Sequence, residues 1–222
     1  MLFRSGADQA WGQIVSVIAG LSVVIGALGA LAQRNIKRLL AYSSIGHVGF
    51  ALIGLAAASE AGVRSLLIYS AVYLFMTLAA FACVMAMRRG GRAAETIDDL
   101  AGASRTHPMM AFGLAAVMFS MAGIPPLAGF FGKLYVLGAA VESGLYLLAV
   151  VGVLASVVSC FYYIRIIKLM YFDEATDALD GPMPKDLGIV LAIASIVILF
   201  FIVLPGPIVS QASLAAQELF QN

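Results

Sequence analysis

The most informative part of this chain is Met121-Ala-Gly-Ile-Pro-Pro-Leu-Ala-Gly-Phe-Phe-Gly-Lys-Leu-Tyr135. It lies inside an apolar run, residues 108–141, that is long enough to cross a lipid bilayer. Proline removes a backbone hydrogen-bond donor and glycine weakens a helix interior, so such residues disfavour a continuous helix here. The residues concerned are Gly123, Pro125, Pro126, Gly129 and Gly132. The sequence therefore predicts a transmembrane helix that is broken near its middle.

The broken helix carries a lysine, Lys133. A charged side chain at membrane depth is costly, so an ion or proton pathway is the default functional hypothesis. Burial penalises the ammonium form, and a lysine in such surroundings can accept and release protons. Carbonyl groups freed by the break can solvate the charged form. The alternative is a lysine that extends from a helix end to the membrane interface, but its central position in the run favours the first interpretation.

The composition is that of an integral membrane protein. Of its 222 residues 62% are hydrophobic and 11% are charged, whereas soluble domains have about 25% charged residues. The net charge of +1 gives no reason to expect a nucleic-acid partner. Cys83 and Cys160 both lie in apolar runs, which favours small core residues over a disulfide or a metal site.

We predict an all-α polytopic fold with about six membrane spans, one of them broken. Each span is a run of about 20 apolar residues. The predicted spans cover residues 13–32, 36–57, 63–87, 109–141, 144–171 and 187–204. They form one domain, 13–204, between a lead-in at 1–12 and a tail at 205–222. Residues 208–222 of the tail are expected to form a short interfacial helix.

The basic residues predict the orientation of the chain, because lysine and arginine collect on the cytoplasmic side. Arg4 and Arg64 fall on one side of the predicted spans. The other side collects Arg34, Lys37, Arg38, Arg88, Arg89, Arg92, Arg105, Arg165, Lys168 and Lys185. We therefore expect the connections 88–107 and 173–186 to be cytoplasmic and both termini to lie on the outer side.

A polar stripe is predicted on the second span, where Lys37, Ser43, Ser44 and His47 recur at helical spacing. Histidine titrates near neutral pH, which suits a proton relay. The alternative for His47 is a neutral buried histidine bonded to a helix carbonyl.

Two further groups lie near the ends of predicted spans. Glu142, at the outer end of the broken helix, is either a proton exit or an exposed carboxylate. Tyr162, Tyr163, Arg165 and Lys168 are typical of an aromatic and basic belt at the membrane interface. The alternative for Arg165 is an ion pair with a carboxylate of a neighbouring helix.

Three segments carry a resemblance to a known family. They are Asn35-Ile-Lys-Arg-Leu-Leu-Ala-Tyr-Ser-Ser-Ile-Gly-His47, Gly123-Ile-Pro-Pro-Leu-Ala-Gly-Phe-Phe-Gly-Lys-Leu-Tyr135 and Ser159-Cys-Phe-Tyr-Tyr-Ile-Arg-Ile-Ile-Lys-Leu-Met-Tyr171. Together they resemble the antiporter-like membrane subunits of respiratory complex I.

The resemblance implies a fold of two inverted five-helix repeats, each with a broken helix, within about fourteen spans. The six spans here are similar to the second repeat plus the last helix. Lys133 corresponds to the lysine of the second broken helix, and Lys37 and His47 correspond to polar positions of the family's central axis. We therefore expect the C-terminal part of a longer subunit, truncated within residues 1–12.

The resemblance also implies an activity that belongs to an assembly. The complex passes electrons from NADH through FMN and iron–sulfur clusters to a quinone, and the antiporter-like subunits move protons. This chain is expected to bind no cofactor and to have as partners the missing N-terminal half of the subunit, other membrane subunits and lipid, in a bacterial inner membrane.

Two alternatives stay open. One is a subunit of a multisubunit Na⁺/H⁺ antiporter or a membrane-bound hydrogenase, which share this fold. The other is a structural membrane subunit in which the polar residues only pack helices.

Overall fold

The computed structural model describes residues 6–174 and 179–221 of the chain, most of which are helical. Its helices are α1 (Gly6–Leu31), α2 (Ile36–Ala56), α3 (Glu60–Ala86), α4 (Ala103–Thr106), α5 (Pro108–Ala122), α6 (Ala128–Glu142), α7 (Tyr146–Phe172), α8 (Lys185–Phe200) and α9 (Gly206–Gln221). A hairpin of β1 (Arg88–Arg89) and β2 (Arg92–Ala93) and a 3-10 turn, Ile97–Leu100, connect α3 to α4. Of the predicted lead-in, residues 1–5 lie outside the described residues and residues 6–12 belong to α1.

Four helices in the described part of the chain are long and apolar enough to cross a membrane: α1, α2, α3 and α7. The predicted break is present, since α5 and α6 have 15 residues each and are separated by residues 123–127. Helix α8 has 16 residues, fewer than the about 20 that a span usually needs. The helical membrane architecture is thus confirmed, while the count of six spans stays a prediction.

The connections between helices gather at two ends of the molecule. At one end the backbone of Asn35 pairs with that of Thr96, and Asp180 accepts hydrogen bonds from the N–H groups of Gly90 (2.8 Å) and Gly91 (2.7 Å). These backbone donors lower the pKa of the Asp180 carboxyl. At the other end Ser143 Oγ donates to the carbonyl of Ala57. This grouping agrees with the predicted separation of the basic residues.

Glycines let α1 and α2 approach closely. A Cβ atom added to Gly26 would lie 2.6 Å from Gly46 Cα and 2.8 Å from the carbonyl oxygen of Tyr42. Such contacts with a neighbouring backbone cannot be relieved by a side-chain rotation. Small residues at helix interfaces are the usual way in which membrane helices pack, because lipid offers no hydrophobic drive for their association.

We expect Gly26→Ala to lower the free energy of unfolding by about 1–3 kcal/mol, because overpacking forces the two backbones apart. Gly138→Ala is the matched control, since an added Cβ there has no atom within 4 Å. Thermal unfolding in detergent measures both variants. Equal stability of the two variants would contradict the close α1–α2 packing described here.

Candidate functional site: a lysine at the helix break

The break after α5 is a Schellman turn. Gly123 has a φ of +83°, a left-handed conformation that glycine adopts without a Cβ penalty. The N–H of Gly123 donates to the carbonyl of Ser120 (2.9 Å), and the N–H of Ile124 donates to that of Phe119 (3.1 Å). This motif satisfies two of the four carbonyls that a helix end leaves free. The remaining two belong to Met121 and Ala122.

Lys133 supplies donors to those two carbonyls. Its Nζ donates to the oxygen of Met121 (2.9 Å), to the oxygen of Ala122 (3.2 Å) and to Ser156 Oγ on α7 (2.8 Å). The C-terminal end of a helix carries a partial negative charge, which stabilises a cation placed against it. Nζ also lies 5.0 Å above the centre of the Phe50 ring, within cation–π range. Lys133 is only 6% exposed, so the interpretation as a lysine that extends to the interface is wrong.

Close contacts hold the two half-helices together around Lys133. Ser120 Oγ accepts a hydrogen bond from the N–H of Gly129 (3.0 Å) and donates to Met76 Sδ (3.1 Å). A Cβ on Gly129 would lie 2.7 Å from the carbonyl carbon of Ser120. A Cβ on Gly132 would lie 3.0 Å from the Tyr69 ring. Two of the predicted helix-breaking glycines therefore serve close packing inside α6, while Gly123 makes the turn.

Pro125 and Pro126 follow that turn and are joined by a cis peptide bond. Both are exposed on this chain. Neither has a backbone N–H group, so the break contains two fewer donors that need a partner.

His47 forms a second buried centre, held between two tyrosines. Its Nδ1 lies 2.7 Å from the hydroxyl of Tyr69, and its Nε2 lies 3.0 Å from the hydroxyl of Tyr163. The imidazole stacks on Tyr73 with ring centres 4.7 Å apart. The Tyr163 hydroxyl is also hydrogen-bonded to Ser43 Oγ. Because a hydroxyl can donate or accept, both ring nitrogens keep a partner whether the ring is neutral or charged.

A small cavity lies between the two centres. His47 and Lys133 both line it, together with Ser43, Ser159 and Tyr163. It leaves about 10 Å³ for the centre of a water molecule, which is room for about one water. A water there has polar partners on several sides. The structure therefore brings Lys133, His47 and Ser43 together around one small space.

Lys37 and Ser44 lie away from this cavity. Lys37 Nζ donates to Glu95 at 2.7 Å at the surface, where the two side chains are 47% and 43% exposed. Hydrogen bonds from Lys37 and then Asn35 lower the pKa of the Glu95 carboxyl. Ser44 Oγ donates to the carbonyl of Leu40 on its own helix. Lys37 is ten residues from His47, about 15 Å along a helix, and the predicted stripe is not continuous between them.

Glu142 is exposed at the opposite end of the molecule, where it lines a cavity together with Arg64 and Tyr135. The interfacial belt predicted for Tyr162 and Tyr163 is wrong, because the two side chains are 2% and 1% exposed.

Three partners in this site were not predicted: Tyr69, Ser156 and Tyr163. The sequence does contain a pattern that could have identified them, which is polar residues at helical spacing. On α7 these are Ser156, Ser159 and Tyr163. On α3 they are Ser65, Tyr69 and Tyr73.

A family model matches residues 1–159 of the chain, and its description is NADH:quinone oxidoreductase/Mrp antiporter, TM. The matched region contains Lys133, His47 and Ser156. Helices α8 and α9 lie beyond it.

Curated relatives carry the name NADH-quinone oxidoreductase subunit N. The one from Paramagnetospirillum magneticum is 57% identical over 212 residues, which are 96% of this chain and 44% of the relative. The one from Rhodospirillum rubrum is 55% identical over 217 residues, 98% of this chain and 44% of the relative. The chain thus spans less than half the length of these relatives.

Solved structures share the fold. Respiratory complex I from Thermus thermophilus with bound aureothin contains a chain that is 30% identical, with a TM-score of 0.77 over 89% of this chain and 45% of that one. The Mrp complex from Dietzia sp. contains a chain that is 22% identical, with a TM-score of 0.85 over 96% of this chain and 48% of that one. The latter likeness is one of fold.

We expect Tyr163→Phe to destabilise the protein by about 1–3 kcal/mol, because it leaves buried polar groups of His47 and Ser43 without their shared partner. Tyr146→Phe, at a side chain that is 64% exposed, is the same chemical change at the surface. Thermal unfolding in detergent compares them, and an equally small effect of both variants would argue against the buried hydroxyl network.

Proposed function

The chain belongs to the NADH:quinone oxidoreductase/Mrp antiporter transmembrane family, and from this premise we propose that it translocates protons as a membrane subunit of an NADH:quinone oxidoreductase. It is a multi-pass protein of a bacterial inner membrane, as its apolar helices and its relatives indicate. The names of those relatives, at 57% and 55% identity, favour this oxidoreductase over the Mrp antiporter, whose likeness is limited to the fold.

One observation carries the proposal: the Lys133 ammonium lies buried against the free end of α5. Removing a charged group from water costs several kcal/mol in a real protein. Against this cost stand hydrogen bonds from a charged donor, each of about 1.5–3 kcal/mol, to Met121, Ala122 and Ser156. The cost of desolvation and the free energy of these hydrogen bonds are of similar size. A modest change in the surroundings can therefore protonate or deprotonate Lys133.

His47 is the next proton acceptor in this proposal. A proton that leaves Lys133 can pass to a water in the shared cavity and then to the imidazole or to the Tyr163 hydroxyl. Each step moves a proton between an N–H or O–H donor and a lone pair, which is the chemistry of a relay. Lys37, joined to Glu95 at the inner surface, is proposed to deliver protons toward this relay through waters, with Ser44 and the buried Ser43 lining the route.

The redox chemistry is proposed to lie elsewhere in the assembly. FMN, the iron–sulfur clusters and the quinone would be bound by other subunits, and this chain would couple to them by conformational and electrostatic change. Its proposed partners are those membrane subunits, lipid and the remaining part of a subunit about twice as long. Residues 13–204 would form the translocating domain, with the α5–α6 pair as its fourth span and α8 as its sixth span. The six spans together would correspond to one repeat plus the last helix of the longer fold.

Lys133→Met tests this function in the intact complex. The variant is expected to lose most proton translocation through this subunit. Its thermal stability should change little, because removal of a buried charge offsets the loss of donors to the carbonyls of Met121 and Ala122. The measurement is the number of protons moved per NADH oxidised in inverted membrane vesicles, together with thermal unfolding of the purified complex.

Lys185→Met is the matched control, since Lys185 is exposed at the start of α8. It should leave the proton yield unaltered. If Lys133→Met pumps as well as the unsubstituted complex, the lysine only packs helices and the proposed function fails. A sodium dependence of transport in the unsubstituted complex would instead support the antiporter alternative.

A further inference from the structure

An apolar groove opens on the side of the molecule where α5, α7 and α8 meet. Its cavity has a volume of about 510 Å³. Phe112, Ala116 and Phe119 line it from one face of α5, since they are four and three residues apart. At its far end the groove reaches the helix break, where Pro125 and Pro126 line it and are exposed. Inside a membrane such a groove is covered by lipid or by protein.

A second cavity, of about 600 Å³, extends the same face of α5 toward the basic end of the molecule. Pro108 lines this cavity and lies four residues before Phe112. The connection 179–183 contributes the opposite wall. From Pro108 to Phe119 the face is about 17 Å long, close to the about 15 Å that one leaflet of the hydrocarbon core occupies. The groove thus has the length of one acyl chain.

Both rims of the groove are bulky and apolar. Ile164 lies three residues before the lining residue Ile167 on α7, and Ile196 lies three residues before the lining residue Leu199 on α8. Exposed side chains recur at helical spacing along these rims as Val157, Phe161 and Ile164 on α7 and Ile189, Ile193, Ile196 and Phe200 on α8. Helices that pack against other helices in a membrane favour small residues at the contact. The two rims therefore favour a lipid chain over another helix as the occupant.

Positive charge on α7 marks the basic end of the groove. Tyr171 lines the groove and is 38% exposed, and Lys168 is an exposed residue three positions earlier on the same side of the helix. Lys168 Nζ lies 3.0 Å from the carboxylate of Asp173. An ion pair this exposed is weak, so Lys168 can bind a phosphate instead.

A second basic residue, Arg105, comes from α4. The N–H of Gly102, which precedes α4, donates to the carbonyl of Leu169 on α7 (3.1 Å), so α4 lies against the basic end of α7. Arg105 is exposed, and the next residue, Thr106, lines the second cavity. Basic residues at the cytoplasmic boundary attract anionic headgroups, and a guanidinium can donate two parallel hydrogen bonds to a phosphate.

We propose that this groove is a binding site for an anionic phospholipid of the inner leaflet. Arg105 and Lys168 bind the phosphate, and one acyl chain lies along α5 with its end against Pro125 and Pro126. The proposal goes beyond the proposed function and does not depend on it, because lipid binding requires no proton transfer.

The bound chain would contact the break directly behind the site of Lys133. Ile124 and Leu127 line the groove, and they follow the carbonyls of Met121 and Ala122 that accept hydrogen bonds from Lys133. A ligand that binds only the folded arrangement stabilises it. The lipid would therefore hold α5 and α6 in the positions in which Lys133 bridges them.

Photolabelling of the intact complex tests the site. The complex is placed in phosphatidylcholine vesicles with a trace of a phospholipid that carries a diazirine near the end of one acyl chain. The probe is either a phosphatidylglycerol or a phosphatidylcholine with the same chains, and mass spectrometry locates the labelled residues. The phosphatidylglycerol probe should label Phe119 and residues 124–127 severalfold more than the other probe, and unlabelled phosphatidylglycerol should compete. Val150 and Leu154, which are exposed on α7 outside the groove, should be labelled equally by both probes.

The double variant Arg105→Gln and Lys168→Gln should lose the preference for phosphatidylglycerol in the groove. Arg92→Gln, at an exposed residue of the hairpin, is the matched control and should keep it. Ala116→Leu should reduce labelling of the groove by both probes because its side chain fills the floor, whereas Val153→Leu, at an exposed residue of α7, should not.

Two results in the unsubstituted complex would overturn the proposal. Equal labelling of the groove by the two probes would show that no anionic headgroup is recognised. Labelling of Val150 and Leu154 without any labelling in the groove would show that a protein segment covers it.

Discussion

The contact between the Lys133 ammonium and the open end of α5 is the interaction on which the rest of the site depends. A helix that stops inside a membrane leaves carbonyl groups without water, and a lysine inside a membrane leaves a charge without water. The lysine supplies donors to these carbonyls and the carbonyls stabilise its charge, since Nζ donates to the oxygens of Met121 and Ala122. The lysine and the break therefore satisfy each other's polar groups inside the membrane.

This mutual dependence explains the small residues around the break. Gly129 and Gly132 bring α6 against Ser120 and the Tyr69 ring, so that Lys133 reaches across twelve residues of chain to the end of α5. The same approach places His47 and its tyrosines beside the lysine, with space for about one water between them. The low dielectric constant of these surroundings strengthens each hydrogen bond and raises the free-energy cost of losing one. The packing of the helices thus sets how near the lysine and the histidine lie to each other.

The local features of this site were predictable and its long-range contacts were not. Glycines and prolines at 123–132 predicted the broken helix, and the bounds of α2, α3 and α7 fall within three residues of the predicted spans. By contrast, His47 meets Tyr163 across 116 positions in the chain, a pairing that periodicity on single helices does not specify. The sequence predicts an interfacial position for Tyr162 and Tyr163 because amphipathic rings favour it, whereas in the structure both are buried and the Tyr163 hydroxyl is bonded to His47 and Ser43. Lys37 shares a helix with His47 but ends in a surface ion pair.

Nitrogen-15 NMR of the Lys133 side chain in the intact complex would show whether this lysine changes its protonation state. The Nζ signal can be assigned by its absence in Lys133→Met. If Lys133 carries protons, the signal changes from an ammonium to an amine position in part of the molecules when resting complex is compared with complex that is oxidising NADH. An ammonium signal that stays unchanged in both conditions would contradict it, because the lysine would then be a permanent cap of α5 and no carrier of protons.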